Sequence, residues 1–292
     1  MSKGFFSFEL GNFECMAVSD GTFSSPYQRL FLNAPLEQLE QALIEHNIKP
    51  GVISGPCTCL FINTGQHRVL VDTGWGGGSA PESGKLLQNL RSEGIEPVDI
   101  DTVILTHGHP DHIGGNTDAD GKPVFPNARY VMSKDEWEFW MSEPDLEQLA
   151  VDGDIRQLIL TAVRENLPPI QSRLDLVDYE EEILPGIKAI AAPGHTPGHM
   201  ALAISSGGER LLYLADIVHY PFQMEHPDWY NAFDIMPEQA KLSRCRLLEQ
   251  VVAEKLLAFS FHLPLLGLGH VIQRGEVWQW QPIESVNQNK PG

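Results

Sequence analysis

The sequence is poor in basic residues: 20 lysines and arginines stand against 39 aspartates and glutamates, a formal net charge of −19. Such an acidic surface repels nucleic-acid phosphates and anionic membranes, so we expect neither as a partner. A small, neutral or weakly charged molecule suits this charge better than a polyanion does.

Long apolar runs are also lacking. The longest, Leu256 to Gly269, is interrupted by His262 and Pro264 and is too short to span a bilayer. Only a few apolar residues lie between Lys3 and Glu9, which is not the pattern of a secretory signal. We therefore expect a cytoplasmic protein.

Cysteine is scarce and is not arranged in the paired pattern of a structural metal site. The four cysteines are Cys15, Cys57, Cys59 and Cys245, of which only Cys57 and Cys59 lie close together, in a strand-like run. We expect all four to be reduced and inert, as is usual in a reducing compartment.

Internal repeats and low-complexity linkers are absent from the sequence, and 42% of its residues are hydrophobic, enough for an extended core. These observations predict a single domain over residues 1–292, with an N-terminal extension around residues 25–50.

What the chain does have is a dense cluster of metal-ligand side chains. Residues 107 to 112 read His-Gly-His-Pro-Asp-His, so His107, His109, Asp111 and His112 fall within six positions. Histidine and aspartate are costly to bury without partners, and both are common ligands of divalent metals. The apolar run from Thr102 to Leu105 predicts a strand just before the cluster.

Periodicity outlines the remaining elements. The spacing of Leu36, Leu39 and Leu43 is helical, and Ser133 with Glu136 predicts a capping box. We predict helices over 35–46, 84–93, 134–142, 153–165 and 237–255, and strands over 7–19, 57–63, 68–72, 102–105, 128–132, 187–192, 200–205, 211–215 and 257–261. Strands followed by helices, twice over, predict an α/β protein with two sheets and outer helices.

Three more ligand-type residues directly follow predicted strands. They are His195, Asp216 and His262. A site assembled from loops along one edge of a pair of sheets would have this spacing.

Together these residues resemble the metallo-β-lactamase superfamily. Its five motif elements are matched in order by Asp72, by His107, His109, Asp111 and His112, and by His195, Asp216 and His262. The resemblance implies an αββα sandwich that holds two divalent ions, zinc first, with manganese, cobalt and iron as alternatives. It implies one ion on His107, His109 and His195, the other on Asp111, His112 and His262, and Asp216 between them. Asp72 and His199 would orient these ligands through hydrogen bonds.

Several stretches point to a branch of the family. Val71-Asp72-Thr73-Gly74, Phe139-Trp140-Met141-Ser142 and the segment His262 to His270 resemble methyl parathion hydrolases and their relatives. The N-acyl homoserine lactone lactonases share the metal motif but resemble this chain less elsewhere. No cysteine lies in a ligand motif, unlike in the commonest true β-lactamases.

The resemblance therefore implies a hydrolase of small, mostly apolar esters, lactones or phosphotriesters. Two metals would lower the pKa of a shared water to about 7 and so supply a hydroxide nucleophile. Asp216 would hold both metals. Either Asp111 or a phenol, for which Tyr220 and Tyr230 are available, would pass a proton to the leaving group. Two alternatives stay open: a thioester hydrolase like glyoxalase II, and a metal-holding protein that binds a small molecule without turnover.

The substrate pocket is less sharply indicated by the sequence. We predict it at Trp75, Trp140, Tyr220 and Phe222, with Trp75 in a glycine-rich loop that runs to Ala80. The alternatives are core packing for Trp140, cover over a sheet end for Trp75, and a wrapped loop or subunit contact for Tyr220 and Phe222. The helix at 35–46 and the aromatic segment 219–233 are candidate contacts for a homodimer.

Overall fold

Apolar strands build two seven-stranded β-sheets in the part of the chain that this structure, a computed structural model, describes: residues 4–77 and 82–283. The first sheet contains β1 (Phe5–Leu10), β2 (Phe13–Pro26), β3 (Val52–Asn63), β4 (Arg68–Val71), β5 (Thr102–Ile104), β6 (Arg129–Ser133) and β7 (Leu174–Val177). The second contains β8 (Glu182–Leu184), β9 (Ile187–Ala191), β10 (Met200–Ser206), β11 (Glu209–Tyr213), β12 (Leu257–Phe259), β13 (Leu268–Arg274) and β14 (Val277–Pro282).

The strands follow chain order in each sheet. Antiparallel hairpins form β1 to β4, and parallel pairing then joins β4 to β7. In the second sheet only β11 and β12 are parallel. The helices are α1 (Leu36–Glu45), α2 (Leu86–Ser92), α3 (Pro110–Ile113), α4 (Lys134–Met141), α5 (Gly153–Asn166), α6 (Phe222–Glu225) and α7 (Pro237–Glu254).

The sheets pack face to face and the helices cover their outer faces. Val71 and Ile104 of the first sheet meet Leu202 and Leu211 of the second in a buried core. Residues of α2, α4 and α5 pack on the outside of the first sheet, and those of α7 on the outside of the second. This order of layers confirms the predicted αββα sandwich.

Residues of the predicted N-terminal extension pack on the aromatic segment that follows Asp216. Side chains of α1 and of the turn before it, among them Phe31 and Leu39, share one buried cluster with Tyr220, Phe222 and Trp229. Much of segment 219–233 is therefore interior. On α1, Leu36 and Ile44 stay exposed, so α1 is the better of the two candidate dimer contacts, and the homodimer stays a prediction.

Most predicted helices and strands are confirmed. The short helices α3 and α6 were not predicted, β2 and β3 are longer than predicted, and further details differ. Residues 7–19 are not one strand, because Gly11, at a φ of 59°, turns the chain between β1 and β2. The predicted capping box is half formed: Ser133 Oγ accepts from the Glu136 N–H, but the Glu136 carboxylate points elsewhere. Strands β7, β8, β13 and β14 were not predicted. β7, β8 and β14 lie at sheet edges, where the periodic signal is weak, whereas β13 is an interior strand whose apolar pattern is interrupted by Gly269 and His270.

No helix within 4–77 and 82–283 combines the length and apolar content needed to cross a membrane. All four cysteines are free thiols. Residues 78–80 of the predicted glycine-rich loop, and the ends of the predicted domain at 1–3 and 284–292, lie outside the described residues.

Candidate metal centre

The predicted ligands converge at one edge of the sandwich, just past the ends of strands from both sheets. His107 to His112 follow β5, His195 follows β9, Asp216 follows β11 and His262 follows β12. Six of these seven side chains are buried, and Asp111 keeps 14% of its side chain exposed. Residues more than 150 positions apart in sequence thus share one small volume.

Three imidazoles form the first group. His109 Nδ1 lies 3.2 Å from His107 Nε2 and 2.8 Å from His195 Nε2. Three ring nitrogens this close cannot all be satisfied by shared protons, whereas a cation could accept a lone pair from each. His107, His109 and His195 therefore form a group that could hold a divalent metal.

The second group lies beside the first, and Asp216 lies between them. The Asp216 carboxylate is 3.1 Å from His112 Nε2, 3.2 Å from His262 Nε2 and 3.3 Å from His195 Nε2. His262 Nε2 is also 3.3 Å from Asp111 Oδ2. Carboxylates and imidazoles at this spacing match the ligand chemistry of a second divalent cation.

Two buried polar atoms support a metal between these side chains. His112 Nε2 and Asp216 Oδ1 are both buried and lie 3.1 Å apart, and neither makes a hydrogen bond of regular geometry to any described residue. Buried polar atoms normally have partners, and an ion is one explanation when they do not. The donor set therefore fits the metal ions that the sequence motifs imply.

Carboxylates accept hydrogen bonds from the Nδ1 atoms of two histidines of the site, His112 and His195. Asp72, at a φ of 61° just past β4, accepts from His112 Nδ1 at 2.9 Å and from Thr106 and Tyr213. Asp234 does the same for His195 Nδ1 at 2.8 Å. Carboxylates in this position fix the orientation of a histidine ligand and raise its basicity.

His199 uses both ring nitrogens within the protein. Its Nδ1 donates to the Ala192 carbonyl at 3.1 Å, and its Nε2 accepts from the Asp216 N–H at 3.2 Å. No nitrogen is left for a metal, and the contact fixes the backbone of Asp216. This geometry supports the orienting role that we predicted for His199.

Glu136 joins the two loops that carry the first group of histidines. Its carboxylate accepts from the Gly108 N–H (2.7 Å), the Gly198 N–H (3.0 Å), Thr196 Oγ1 (2.6 Å) and Trp140 Nε1 (2.6 Å), and the residue is fully buried. Gly108 separates His107 from His109, and Thr196 follows His195. One side chain of α4 thus bonds to both of the loops that carry these histidines.

Charge interactions shift the pKa of several ligands. Burial lowers the pKa of His112, but the carboxylates of Asp216, Asp111 and Asp72 outweigh burial and raise it to about 10. Burial raises the pKa of Asp111, but His112 and His262 outweigh it and lower it to about 2. The carboxylates at the centre are therefore anionic at neutral pH, and they attract cations.

A small cavity of about 190 Å³ opens over these groups. Its walls include Asp111, His195, Asp216, His219 and His262, and its other side is mostly apolar, with Phe23, Leu30, Trp75, Ile155, Ile159 and Phe233. A larger cavity of about 770 Å³ shares Trp75, Pro110 and Leu158 with it, but none of the predicted ligands is among its described lining residues.

Only one of the four predicted pocket residues lies on the wall of the small cavity. Trp75 does so. Trp140 is buried in the core of the first sheet and packs against the His109 ring, with centroids 6.0 Å apart. Tyr220 and Phe222 are buried against the N-terminal extension, with Phe23 between Tyr220 and His262.

Four residues at or around the site were not predicted as such. His219 lines the cavity, and its Nε2 lies 3.2 Å from Asp216 Oδ2. Asp234 bonds to the His195 ring, Glu136 bonds to the backbone of the histidine loops, and the Cys57 sulfur lies near Asp111 and His262. His219 was hidden in the aromatic segment, although a histidine three residues after Asp216 was a usable signal. The contacts of the other three depend on tertiary packing.

Residues 52–260 match the family model of the metallo-beta-lactamase superfamily. Because the match covers more than half of the chain, the protein belongs to this superfamily, and the predicted family is confirmed. The N-acyl homoserine lactonase AiiA of Bacillus thuringiensis subsp. kurstaki is 26% identical over 255 residues, which are 80% of this chain and 91% of that protein.

Two solved structures are similar over nearly the whole chain. AidC, described as a dizinc quorum-quenching lactonase in complex with a product, N-hexanoyl-L-homoserine, is 32% identical, with 97% of this chain and 99% of that chain covered and a TM-score of 0.92. AbOPH, a hydrolase of the beta-lactamase superfamily, is 29% identical, with the same coverage and a TM-score of 0.87. Of these two, the lactonase is the more similar.

Proposed function

We propose that this protein is a metal-dependent hydrolase that opens the ring of small lactones carrying an apolar chain, such as N-acyl homoserine lactones. One observation carries the proposal. Seven ligand-type side chains, with Asp216 at their centre, lie together at a small cavity whose other walls are mostly apolar. The likeness to AidC and AiiA, both lactonases, supports the same substrate class.

The metal ligands follow from the two groups described above. His107, His109 and His195 would hold one ion, Asp111, His112 and His262 the other, and Asp216 would contact both. We propose zinc, because imidazole and carboxylate suit it and AidC is a dizinc enzyme. Manganese, cobalt and iron can use the same ligands.

When bound, two such ions would polarise the lactone carbonyl and supply a nucleophile at neutral pH. The chain itself supplies position and a proton carrier. Asp111 lies on the cavity wall, is anionic, and is the most exposed of the seven predicted ligands. Its Oδ2 can take up the proton released during attack and pass it to the alkoxide that leaves as the ring opens.

No tyrosine is among the described residues that line the small cavity, so we propose Asp111 rather than a phenol for that proton transfer. Tyr220 lies behind Phe23, and its hydroxyl, buried and without a partner in the described chain, is outside the cavity lining. His219 instead occupies the wall and stacks on the His262 ring, with centroids 5.1 Å apart. Its contact with Asp216 Oδ2 steadies the central carboxylate.

The walls of the cavity favour an apolar substrate over a charged one. Its described lining contains no lysine or arginine, whereas a glutathione thioester would need cations for its carboxylates. The glyoxalase II alternative is therefore disfavoured. Phenylalanine, leucine and isoleucine side chains on the opposite wall can bury an acyl chain at about 0.8 kcal/mol per CH₂.

The proposed location is the cytoplasm. Its support is the set of four unpaired thiols, since disulfides are usual in oxidising compartments and rare in reducing ones.

One panel of assays tests the function. The protein, reconstituted in turn with zinc, manganese and cobalt, is assayed on N-acyl homoserine lactones, aryl esters, phosphotriesters and thioesters. We expect lactones to give the highest kcat/KM. Asp216→Asn should lose activity and bound metal, whereas Asp154→Asn, at an exposed position of α5, should change neither.

Two outcomes would overturn the proposal. A thioester or a phosphotriester as the best substrate would reassign the reaction. No turnover of any substrate by protein carrying two ions would favour the alternative of a metal-holding binding protein.

A further inference from the structure

We propose that Cys57 is a thiolate ligand of the ion held by Asp111 and His262, which would make the second metal site selective for thiophilic cations. The sulfur of Cys57, a carboxylate oxygen of Asp111 and a ring nitrogen of His262 all lie within 4.8 Å of one another. Cys57 is fully buried in β3. None of the sequence motifs of the site includes this residue.

The backbone of β3 holds both Cys57 and His262 in place. The Pro56 carbonyl accepts from His262 Nδ1 at 2.8 Å, so the other ring nitrogen, Nε2, faces Asp111 and Asp216. One residue beyond Cys57, the Thr58 N–H donates to the Phe261 carbonyl at 3.0 Å. The spacing between thiol and imidazole is thus fixed by strand geometry.

A second observation independently points to an ion at the same position. His112 Nε2 is buried without a hydrogen bond of regular geometry to any described residue, 3.7 Å from Asp111 Oδ2 and 3.1 Å from Asp216 Oδ1. The Asp111 carboxylate therefore lies close both to His112 Nε2 and to the Cys57 sulfur. An ion that binds Asp111 would lie within reach of both.

Binding would release the thiol proton to solvent and form a metal–sulfur bond. Thiolate is a soft ligand that favours zinc, cobalt and cadmium over manganese. A site with sulfur from Cys57 should therefore discriminate between these ions more strongly than one built of imidazole and carboxylate alone.

Cys59 provides a matched control. It lies two residues further along β3, on the same face of the sheet, and is equally buried. Within the described chain, Cys59 belongs to none of the groups that could hold a metal.

The test is the near-ultraviolet spectrum of the cobalt-loaded protein, in which a thiolate ligand gives a sulfur-to-cobalt charge-transfer band. We expect the band in the wild type with two cobalt ions bound, its loss in Cys57→Ala, and its retention in Cys59→Ala. Cadmium affinity of one site should fall in Cys57→Ala by at least the roughly 10–100-fold typical of losing an outer hydrogen-bond partner.

A wild-type protein with two cobalt ions and no such band would overturn the proposal, even if neither variant folds. A band that persists in Cys57→Ala, or that disappears in Cys59→Ala, would do the same. This result is separate from the proposed function, because lactone hydrolysis can succeed or fail in the panel whatever the spectrum shows.

Discussion

At the scale of single residues, Asp216 has the most contacts with the other site residues. Imidazole nitrogens of five described residues lie within 3.8 Å of its carboxylate: His107, His112, His195, His219 and His262. Burying several imidazoles and positive ions in a small volume costs free energy, and a carboxylate at their centre offsets part of that cost. The other ligands can therefore stay close together only while this carboxylate is charged.

Glu136 gives a prediction at the same scale. In Glu136→Gln an amide N–H₂ replaces one oxygen and faces donors that need acceptors, so the loops at Gly108 and Gly198 should separate. We expect zinc affinity at the first group of histidines to fall about 10–100-fold. Competition with a chromophoric chelator measures this affinity.

Glu138→Gln is the control for that experiment. Glu138 lies on the same helix but is exposed, in a loose pair with Lys134 at 3.9 Å. Its replacement should leave zinc affinity unchanged. Equal affinities in the wild type and Glu136→Gln, or equal losses in both variants, would rule out the positioning role.

The sequence allowed the candidate ligands to be predicted because each lies within a few residues after an apolar strand. The residues that orient them could not be predicted in the same way. Asp234 lies in a loop and Glu136 on a helix, and each meets its histidine loop only through packing between elements. For Trp140 the sequence left both a pocket and a core position open, since an aromatic residue on a helix fits either. In the structure its indole N–H donates to the Glu136 carboxylate.

At the scale of elements, the site depends on how closely the loop from Gly194 to His199 packs on helix α4. A Cβ atom at Gly198 would lie 2.0 Å from the Glu136 backbone nitrogen, so this position needs glycine. The parallel strands β4 to β6 bring the other ligand loop to the same edge. Sequence periodicity predicted these strands, but not the contact between loop and helix.

Gly198→Ala should therefore push the loop away from α4. We expect about 1–3 kcal/mol of lost stability from overpacking, together with weaker zinc binding at His195. Chemical denaturation and zinc titration measure the two effects.

Gly153→Ala is the matched substitution, because the nearest atom to its Cβ would be 4.0 Å away, at the start of helix α5. It should keep zinc affinity and raise stability slightly, by up to about 1 kcal/mol. A Gly198→Ala protein as stable as Gly153→Ala would show that the loop is not constrained by α4.

At the scale of the whole molecule, the site joins the two halves of the sandwich. Its candidate ligands come from loops of the first sheet before residue 113 and of the second sheet after residue 194. Metal binding should therefore stabilise the entire fold, by about 2.7 kcal/mol when free metal is at 100 times its Kd.

That stabilisation should depend on pH. Burial lowers the pKa of His195, but Asp216 and Asp234 outweigh it and raise it to about 9, above its ordinary 6.5. A raised pKa means that the protonated ring stabilises the metal-free fold. This contribution is complete below pH 6.5 and is lost as the pH rises through 9.

Metal ions need the neutral ring, so protons compete with them over the same range. We expect the increase in Tm on zinc binding to grow from pH 6.5 to pH 9, when zinc-loaded and chelator-treated proteins are compared by thermal unfolding. An increase in Tm that does not change over this range would contradict the coupling.

The most direct measurement is anomalous diffraction at the zinc absorption edge from crystals of the zinc-loaded protein. We predict two peaks on either side of the Asp216 carboxylate, one within bonding distance of His107, His109 and His195 and one within bonding distance of Asp111, His112 and His262. Peaks elsewhere, or no peaks from protein shown to carry zinc, would contradict a two-metal site at this edge of the sandwich.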